Sequence, residues 1–274
     1  MKIEKITNIM SGEKPLDNIV CDGGYASIFL NIGCIGDSLS SGEFESVKED
    51  GSHTYDDYYE FSWGQFLARD TGVKVYNFSC GGMSCREYMR WFGNHIDAFN
   101  KDKRCQAYII ALGVNDLYNP SVMVPLGKID DYENKKETMS RYYQEIIKTY
   151  KNIEPNAKFF LVTMPREDER EEDDKIKQEY RKLIYQIADK FSNIYVIDLY
   201  QYAPKYDEEF KRKFYLNGHM NAAGYRFTAK IIESYIDYIV RQNFEDFTQV
   251  GFIGKEQYDP KLDKIANKTT NLLL

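Results

Sequence analysis

The sequence has no long apolar run and no excess of basic charge. No stretch approaches the ~18 consecutive apolar residues of a membrane-spanning helix, and residues 1–20 contain no continuous apolar segment of the kind found in a secretory signal. The formal net charge is −7, whereas proteins that bind a phosphate backbone present a basic face. We therefore expect a cytoplasmic protein that binds neither membranes nor nucleic acids.

Cysteine and histidine are scarce and lack the spacing of metal or disulfide motifs. The five cysteines are odd in number and contain no C-x-x-C pair, and there are only three histidines. Zinc sites need cysteine and histidine at short, regular spacing. The acidic run at 166–175, REDEREEDDK, mixes carboxylates with arginines, which is typical of a solvated loop before a helix. We expect free thiols and no metal site.

Tyrosine, in contrast, is abundant. The chain has 23 tyrosines, and aromatic residues make up 15% of the sequence. A tyrosine can fill a core while its hydroxyl finds a polar partner, and the same ring can stack on a sugar. Composition alone does not separate these two interpretations.

Short apolar runs alternate with stretches of helical periodicity. The runs are nearly continuous in their apolar character, as expected for strands buried on both faces of a parallel sheet. They lie at 27–36, 73–79, 107–113, 158–165 and 193–200. Helical periodicity occurs at 59–70, 84–100, 135–151, 174–191 and 222–242. This alternation predicts a three-layer α/β/α sandwich around a five-stranded parallel sheet.

Three kinds of segment lie outside this pattern. We expect residues 27–242 to form the domain, with 1–26 as an extension that has its own short strand. The segments 48–57 and 118–132 are predicted to overhang the strand ends. The tail at 243–274 is expected either to pack on the domain or to reach a neighbouring subunit, as in a homo-oligomer.

Polar and glycine residues follow four of the predicted strands. In open parallel sheets, ligands bind beyond the carboxyl ends of the strands. Each group alone has a structural explanation, because serine can cap a helix, glycine can form a turn and Asn-Asp can form an Asx-turn. Their occurrence together and in this order favours function. In chain order they are Ser38, Gly81-Gly82, Asn115 and His219.

These residue types suit acyl transfer. A serine hydroxyl becomes a nucleophile when a base removes its proton, and histidine has a pKa suited to that task. The tetrahedral intermediate needs hydrogen-bond donors fixed in advance around its oxyanion. The backbone N–H of Ser38, a glycine N–H and the Asn115 side chain are the candidates.

The motifs resemble those of the SGNH hydrolases, also called the GDSL lipase/esterase family, over about residues 28–240. The segments that carry the resemblance are Gly36-Asp37-Ser38-Leu39-Ser40, Gly113-Val114-Asn115-Asp116 and His219-Met220-Asn221-Ala222-Ala223-Gly224. The resemblance implies a flavodoxin-like SGNH hydrolase fold and an ester hydrolase that needs no metal or organic cofactor. It implies that Ser38 is the nucleophile, His219 the base and Asn115 an oxyanion donor. Counting five residues from Asn77 makes Gly82 the oxyanion glycine, with Gly81 less favoured.

One position departs from the family pattern. The family usually has an aspartate three residues before the base, and Leu216 occupies that position here. A backbone carbonyl, that of Leu216, would orient His219 in a serine–histidine dyad, and we favour this interpretation. Asp198 or Asp207 would otherwise reach His219 through space, or the site would only bind a ligand.

Several other functions compete with this one. A phosphate-binding loop lacks the G-K-[ST] motif, and nothing in the sequence near Cys80 would lower its pKa and make it a nucleophile. A carbohydrate-binding pseudoenzyme, a thioesterase and a lysophospholipase remain open. We favour hydrolysis of a small or carbohydrate-linked ester, with acetyl as the acyl group.

Overall fold

A parallel sheet of five strands organises the chain. The computed structural model describes residues 12–168, 170–259 and 261–262. The strands are β1 (Asn31–Gly36), β2 (Glu43–Val47), β3 (His53–Asp57), β4 (Lys74–Ser79), β5 (Ala107–Ala111), β6 (Lys158–Val162), β7 (Ile194–Ile197), β8 (Tyr215–Leu216) and β9 (His219–Met220). The central sheet has the order β4-β1-β5-β6-β7, with every neighbouring pair parallel. The predicted α/β architecture with a five-stranded parallel sheet is confirmed.

Helices cover both faces of the sheet and enclose two cores. Along β1, Ile32 and Cys34 pack into one core, whereas Ile35 packs into the other, because alternate side chains of a strand point to opposite faces. The first core includes side chains from the helices Trp63–Thr71 and Ala222–Gln242. The second includes side chains from Met139–Ile153 and Glu171–Lys190.

Two predicted helices are interrupted in the structure. In the region predicted as a helix at 59–70, a 3-10 turn (Tyr59–Phe61) precedes the helix Trp63–Thr71. The helix begins there because the Ser62 side chain caps it by accepting a hydrogen bond from the backbone N–H of Gln65. The second predicted helix, 84–100, is divided among three short segments. They are Cys85–Glu87, a π-helical turn at Tyr88–Phe92 and Gly93–His95.

Many of the tyrosines are structural. Tyr88 and Tyr150 are fully buried and share a hydrogen bond of 2.6 Å between their hydroxyls. Buried Tyr180 donates to the carbonyl of Leu112 at 2.7 Å. These rings supply apolar area while their hydroxyls stay hydrogen-bonded. Core packing therefore accounts for part of the tyrosine excess.

The segment 48–57 forms part of a hairpin and is not simply an overhanging loop. Strands β2 and β3 pair in antiparallel fashion, with Glu43 opposite Asp57 and Val47 opposite His53. The hairpin follows directly from the turn that contains Ser38, because Gly42 adopts the left-handed conformation (φ 90°) between them. It thus brings two additional strands to the carboxyl edge of the main sheet.

The terminal segments are described in part. The short strand predicted in 1–26 would lie in residues 1–11, which are outside the described residues, or in 12–26, where the structure has instead a 3-10 helix at Gly24–Ile28. In the tail, Phe247, Val250 and Ile253 are buried in the first core. The described part of the tail therefore packs on the domain.

Candidate active site

Ser38 begins a one-turn helix directly beyond β1. The turn spans Ser38–Ser41, and Asp37 caps it by accepting a hydrogen bond from the backbone N–H of Leu39 at 3.1 Å. Burial raises the pKa of Asp37 to about 7. The hydrogen bond from Leu39 lets Asp37 brace the turn that begins at Ser38, and in the described part of the chain no hydrogen bond joins Asp37 to His219.

The glycine pair and Asn115 lie beyond the two strands that flank β1. The main chain of Gly82 is left-handed (φ 70°), which favours glycine, and a Cβ there would meet nothing within 4 Å. The amide of Asn115 donates to the carbonyl of Met83 at 3.2 Å. Because β1 pairs with both β4 and β5, the structure brings Ser38, Gly82 and Asn115 to one edge of the sheet.

His219 reaches this edge from a small hairpin. It lies on β9 opposite Leu216 on β8, immediately before the helix Ala222–Gln242. The hydroxyl of Tyr225, in the first turn of that helix, contacts the carbonyl oxygens of Ser38 (3.4 Å) and Glu43 (2.5 Å). This side chain links the helix that follows His219 to the turn that contains Ser38.

Two glutamates hold the imidazole of His219. Its Nδ1 lies 3.1 Å from Oε2 of Glu45, and its Nε2 lies 3.0 Å from Oε1 of Glu43. Carboxylates accept hydrogen bonds, so a carboxylate facing each ring nitrogen favours the protonated imidazolium. Burial alone would lower the pKa of His219, but the hydrogen bonds to the two glutamates outweigh it and raise that pKa above its usual value.

Glu45 is the best-connected carboxylate of the site. It is only 5% exposed, and it accepts hydrogen bonds from the backbone of Gly218 (2.7 Å), Nδ1 of His53 (2.5 Å) and His219. Burial by itself would raise the pKa of Glu45, but these hydrogen bonds lower it below the ordinary glutamate value. The group that faces Nδ1 of His219 is therefore a hydrogen-bonded carboxylate whose lowered pKa favours the ionised form.

The three groups expected to orient His219 lie elsewhere or play other roles. Asp198 accepts hydrogen bonds from Thr163, Arg181 and Tyr185. In the described part of the chain these partners hold Asp198, and no hydrogen bond joins it to His219.

Asp207 likewise serves another purpose, since it caps the helix Glu208–Phe214 by accepting from the backbone of Phe210 at 2.9 Å. The carbonyl of Leu216 is also not the partner, because a carboxylate occupies the Nδ1 position of His219. The sequence reasoning missed Glu43 and Glu45. Their signal was the E-x-E spacing right after the nucleophile motif, since residues i and i+2 of a strand share a face.

Ser38 and His219 are not hydrogen-bonded to each other in this structure. Among the described residues, no hydrogen bond joins the Ser38 hydroxyl to the imidazole, and Glu43 occupies the position at Nε2. Catalytic hydrogen bonds are often absent from ligand-free enzymes and form only with substrate.

A cavity of about 520 Å³ adjoins the site. Its lining includes the chain neighbours of the proposed catalytic residues and apolar side chains from β6 and the following helices. Among them are Asp37, Leu39, Val114, Gly218, Val162 and Leu199. Neither Ser38 nor His219 lines the cavity itself, so the cavity lies beside these two residues.

Other chemistries find little support in the described residues. Among them, no group of three or more histidine, cysteine or acidic side chains could hold a metal ion. No helix in the described part of the chain has the length and apolar character needed to cross a membrane. Burial, together with Asp57 and Glu43, raises the pKa of Cys80, which disfavours a thiolate nucleophile.

The family of the chain follows from its sequence. Residues 34–227 match the model of the GDSL-like Lipase/Acylhydrolase family. The chain belongs to this family. The match spans more than two thirds of the chain and contains every residue of the candidate site, and the protein is an ester hydrolase. A search of curated proteins gave no significant match.

Solved structures of ester hydrolases share the fold. A family 2 carbohydrate esterase with a carbohydrate-binding domain from Corynascus thermopiles (Myceliophthora fergusii) is 17% identical, with a TM-score of 0.56 over 77% of this chain and 66% of that one. A family two carbohydrate esterase from Clostridium thermocellum, in complex with cellohexaose, is 14% identical, with a TM-score of 0.57 over 84% and 67%. The psychrotrophic esterase EstA from Pseudoalteromonas sp., inhibited by monoethylphosphonate, is 15% identical, with a TM-score of 0.52 over 77% and 98%. This chain spans about two thirds of the length of the two carbohydrate esterases.

Proposed function

We propose that this GDSL hydrolase cleaves a small or carbohydrate-linked acyl ester, with acetyl as the acyl group, through an acyl-enzyme on Ser38. His219 serves as the base, and Glu45 orients it. The observation that carries the proposal is the 3.1 Å contact between Nδ1 of His219 and the ionised carboxylate of Glu45. Glu45 supplies the carboxylate that is missing at Leu216. The expected serine–histidine dyad thus becomes a triad whose acid comes from the β2–β3 hairpin.

The reaction proceeds in two half-reactions. Nε2 of His219 takes the proton of Ser38 as Oγ attacks the ester carbonyl, and Glu45 stabilises the imidazolium. The oxyanion accepts hydrogen bonds from the backbone N–H groups of Ser38 and Gly82 and from the amide of Asn115. The intermediate collapses, the imidazolium protonates the leaving alcohol, and an acyl-enzyme remains. Water then attacks this ester with His219 again as the base, which releases the carboxylic acid and restores Ser38.

Two observations support a carbohydrate as the alcohol portion. The structures similar in fold include two carbohydrate esterases, one of them in complex with cellohexaose. Next to the base, the ring of Tyr55 lies 5.6 Å from that of His219 in an edge-on arrangement, and Tyr55 is 53% exposed. An exposed aromatic face beside the reacting centre can stack on a sugar ring.

Replacing Glu43 by glutamine is expected to shift the acid limb of the pH–rate profile to lower pH. The base must be neutral to accept a proton, so activity falls as the pH drops through the pKa of His219. The hydrogen bond to Glu43 contributes to the raised pKa of His219, and removing its charge lowers that pKa. The midpoint of the acid limb of kcat/KM, measured with a neutral acetate ester, tests this. An unchanged midpoint would show that Glu43 does not interact with the base in the free enzyme.

A second candidate is hydrolysis of esters with a longer acyl chain. The cavity of about 520 Å³ beside Ser38 favours it, since each buried methylene contributes ~0.8 kcal/mol of binding. A series of p-nitrophenyl esters from acetate to decanoate distinguishes the two. We expect kcat/KM to be highest for acetate and to fall with chain length. A rise toward octanoate would show that the cavity takes the acyl chain and would replace the acetyl assignment.

A further inference from the structure

Glu43 has no step in the proposed reaction, yet its carboxylate lies in the centre of the site. Oε1 is 3.0 Å from Nε2 of His219. On its other side, the carboxylate lies so close to Gly81 that a Cβ added there would overlap Oε2. The carboxylate therefore lies between the base and the glycine turn that is proposed to bind the oxyanion.

We propose that Glu43 makes the site select esters whose leaving group is cationic or donates hydrogen bonds, and reject anionic esters. This inference rests on the proposed hydrolysis at Ser38 and names the substrate class of that same site. A reacting ester must contact both Ser38 and the glycine turn, while Nε2 of His219 must reach the serine hydroxyl. The ester therefore enters next to the Glu43 carboxylate and displaces it from Nε2.

The backbone keeps the displaced carboxylate near the substrate. The carbonyl of Glu43 accepts a 2.5 Å hydrogen bond from Tyr225, and Glu43 pairs with Asp57 in the hairpin ladder. Next to it, the backbone N–H of Tyr58 donates to the carbonyl of Gly42 at 3.0 Å. Rotation of the side chain can free Nε2, but the carboxylate stays within one side-chain length of the leaving group.

The carboxylates of this region outnumber the imidazoles of His219 and His53 that contact them. Glu45 and Asp57 accompany Glu43, and Asp57 accepts a hydrogen bond of 2.6 Å from Ser41. In the described part of the chain, no lysine or arginine forms an ion pair with these three carboxylates. A charge on the leaving group thus meets a net negative field, which changes the rate by about tenfold or more at an intermediate dielectric constant and low salt.

Three thioacetates of similar size test the inference through one thiol assay. Acetylthiocholine carries a cation, 3,3-dimethylbutyl thioacetate is its neutral isostere, and S-acetyl-3-mercaptopropionate carries an anion. At low ionic strength we expect kcat/KM to fall in that order. In Glu43→Gln the ratio of the cationic to the anionic substrate should drop by about tenfold. Because each ratio compares substrates on one enzyme, a change in the pKa of His219 cancels.

Glu49→Gln is the matched control, since it removes the same charge from an exposed position of the same hairpin. Its ratio should equal that of the unmodified protein. An unchanged ratio in Glu43→Gln, with all three esters hydrolysed, would overturn the role of Glu43. Absence of hydrolysis of any thioacetate or acetate ester by the unmodified protein would instead overturn the proposed function.

Discussion

Ser38→Ala is expected to reduce ester hydrolysis by about 10⁴- to 10⁶-fold, since removal of a catalytic serine eliminates the covalent path. The substitution removes one hydroxyl that makes no hydrogen bond to His219 in the described structure, so we expect little change in folding. Hydrolysis of p-nitrophenyl acetate measures the loss of activity, and thermal unfolding measures any change in stability.

A suitable control is Ser46→Ala. Ser46 is an exposed serine of β2 whose hydroxyl shares a hydrogen bond of 2.6 Å with Thr54. Loss of this hydroxyl should leave kcat/KM within a factor of about two, because Ser46 is exposed and points to the opposite face of β2 from Glu45, and surface changes cost little. If Ser38→Ala retained most of the activity, another nucleophile would carry the reaction, and Ser38 would not be catalytic.

Glu45→Gln is expected to lower kcat on the order of 10³-fold, with a much smaller change in KM. A neutral amide stabilises the imidazolium less than a carboxylate does and can hold the ring in the wrong tautomer. Because the hydrogen bond to Glu45 contributes to the raised pKa of His219, the acid limb of the remaining activity should also move to lower pH. A purely structural role would change thermal unfolding without this shift in the pH profile.

Two further variants sharpen this result. Glu45→Asp keeps the charge and should restore part of kcat. Asp207→Asn should leave activity unchanged, because asparagine is as good an N-cap as aspartate for the helix Glu208–Phe214. If Asp207→Asn lost activity while Glu45→Gln kept it, Asp207 and not Glu45 would be the residue that orients His219.

Patterns within single elements were sufficient to predict the architecture. Continuous apolar runs located all five strands of the parallel sheet, and the helix predicted at 222–242 has those bounds in the structure. The prediction of one continuous helix at 84–100 was wrong, because a π-helical turn at Tyr88–Phe92 interrupts it. A π turn depends on how Tyr88 and Phe92 pack in the second core, and apolar periodicity does not report such packing.

Periodicity within single elements could not identify Glu45 as the partner of His219. Glu45 and Gly218 are separated by 173 positions, yet they share a hydrogen bond of 2.7 Å. The family motif places its acid three residues before the histidine, so an acid upstream of His219 in the sequence was the expected carboxylate partner. Only residues 48–57 of the hairpin were expected to overhang the strand ends, and Glu43 and Glu45 precede that segment. A pattern in one strand does not reveal which distant side chain that strand will meet.

The most direct test of the account is the reaction of the intact protein with a fluorophosphonate, followed by mass spectrometry of the protein and its peptides. We predict one adduct, on Ser38, that forms rapidly in the unmodified protein and far more slowly in His219→Ala and Glu45→Gln. An unlabelled Ser38 in folded protein, or labelling at the same rate in all three, would contradict a serine activated by His219 and Glu45 and would favour a carbohydrate-binding protein without catalysis.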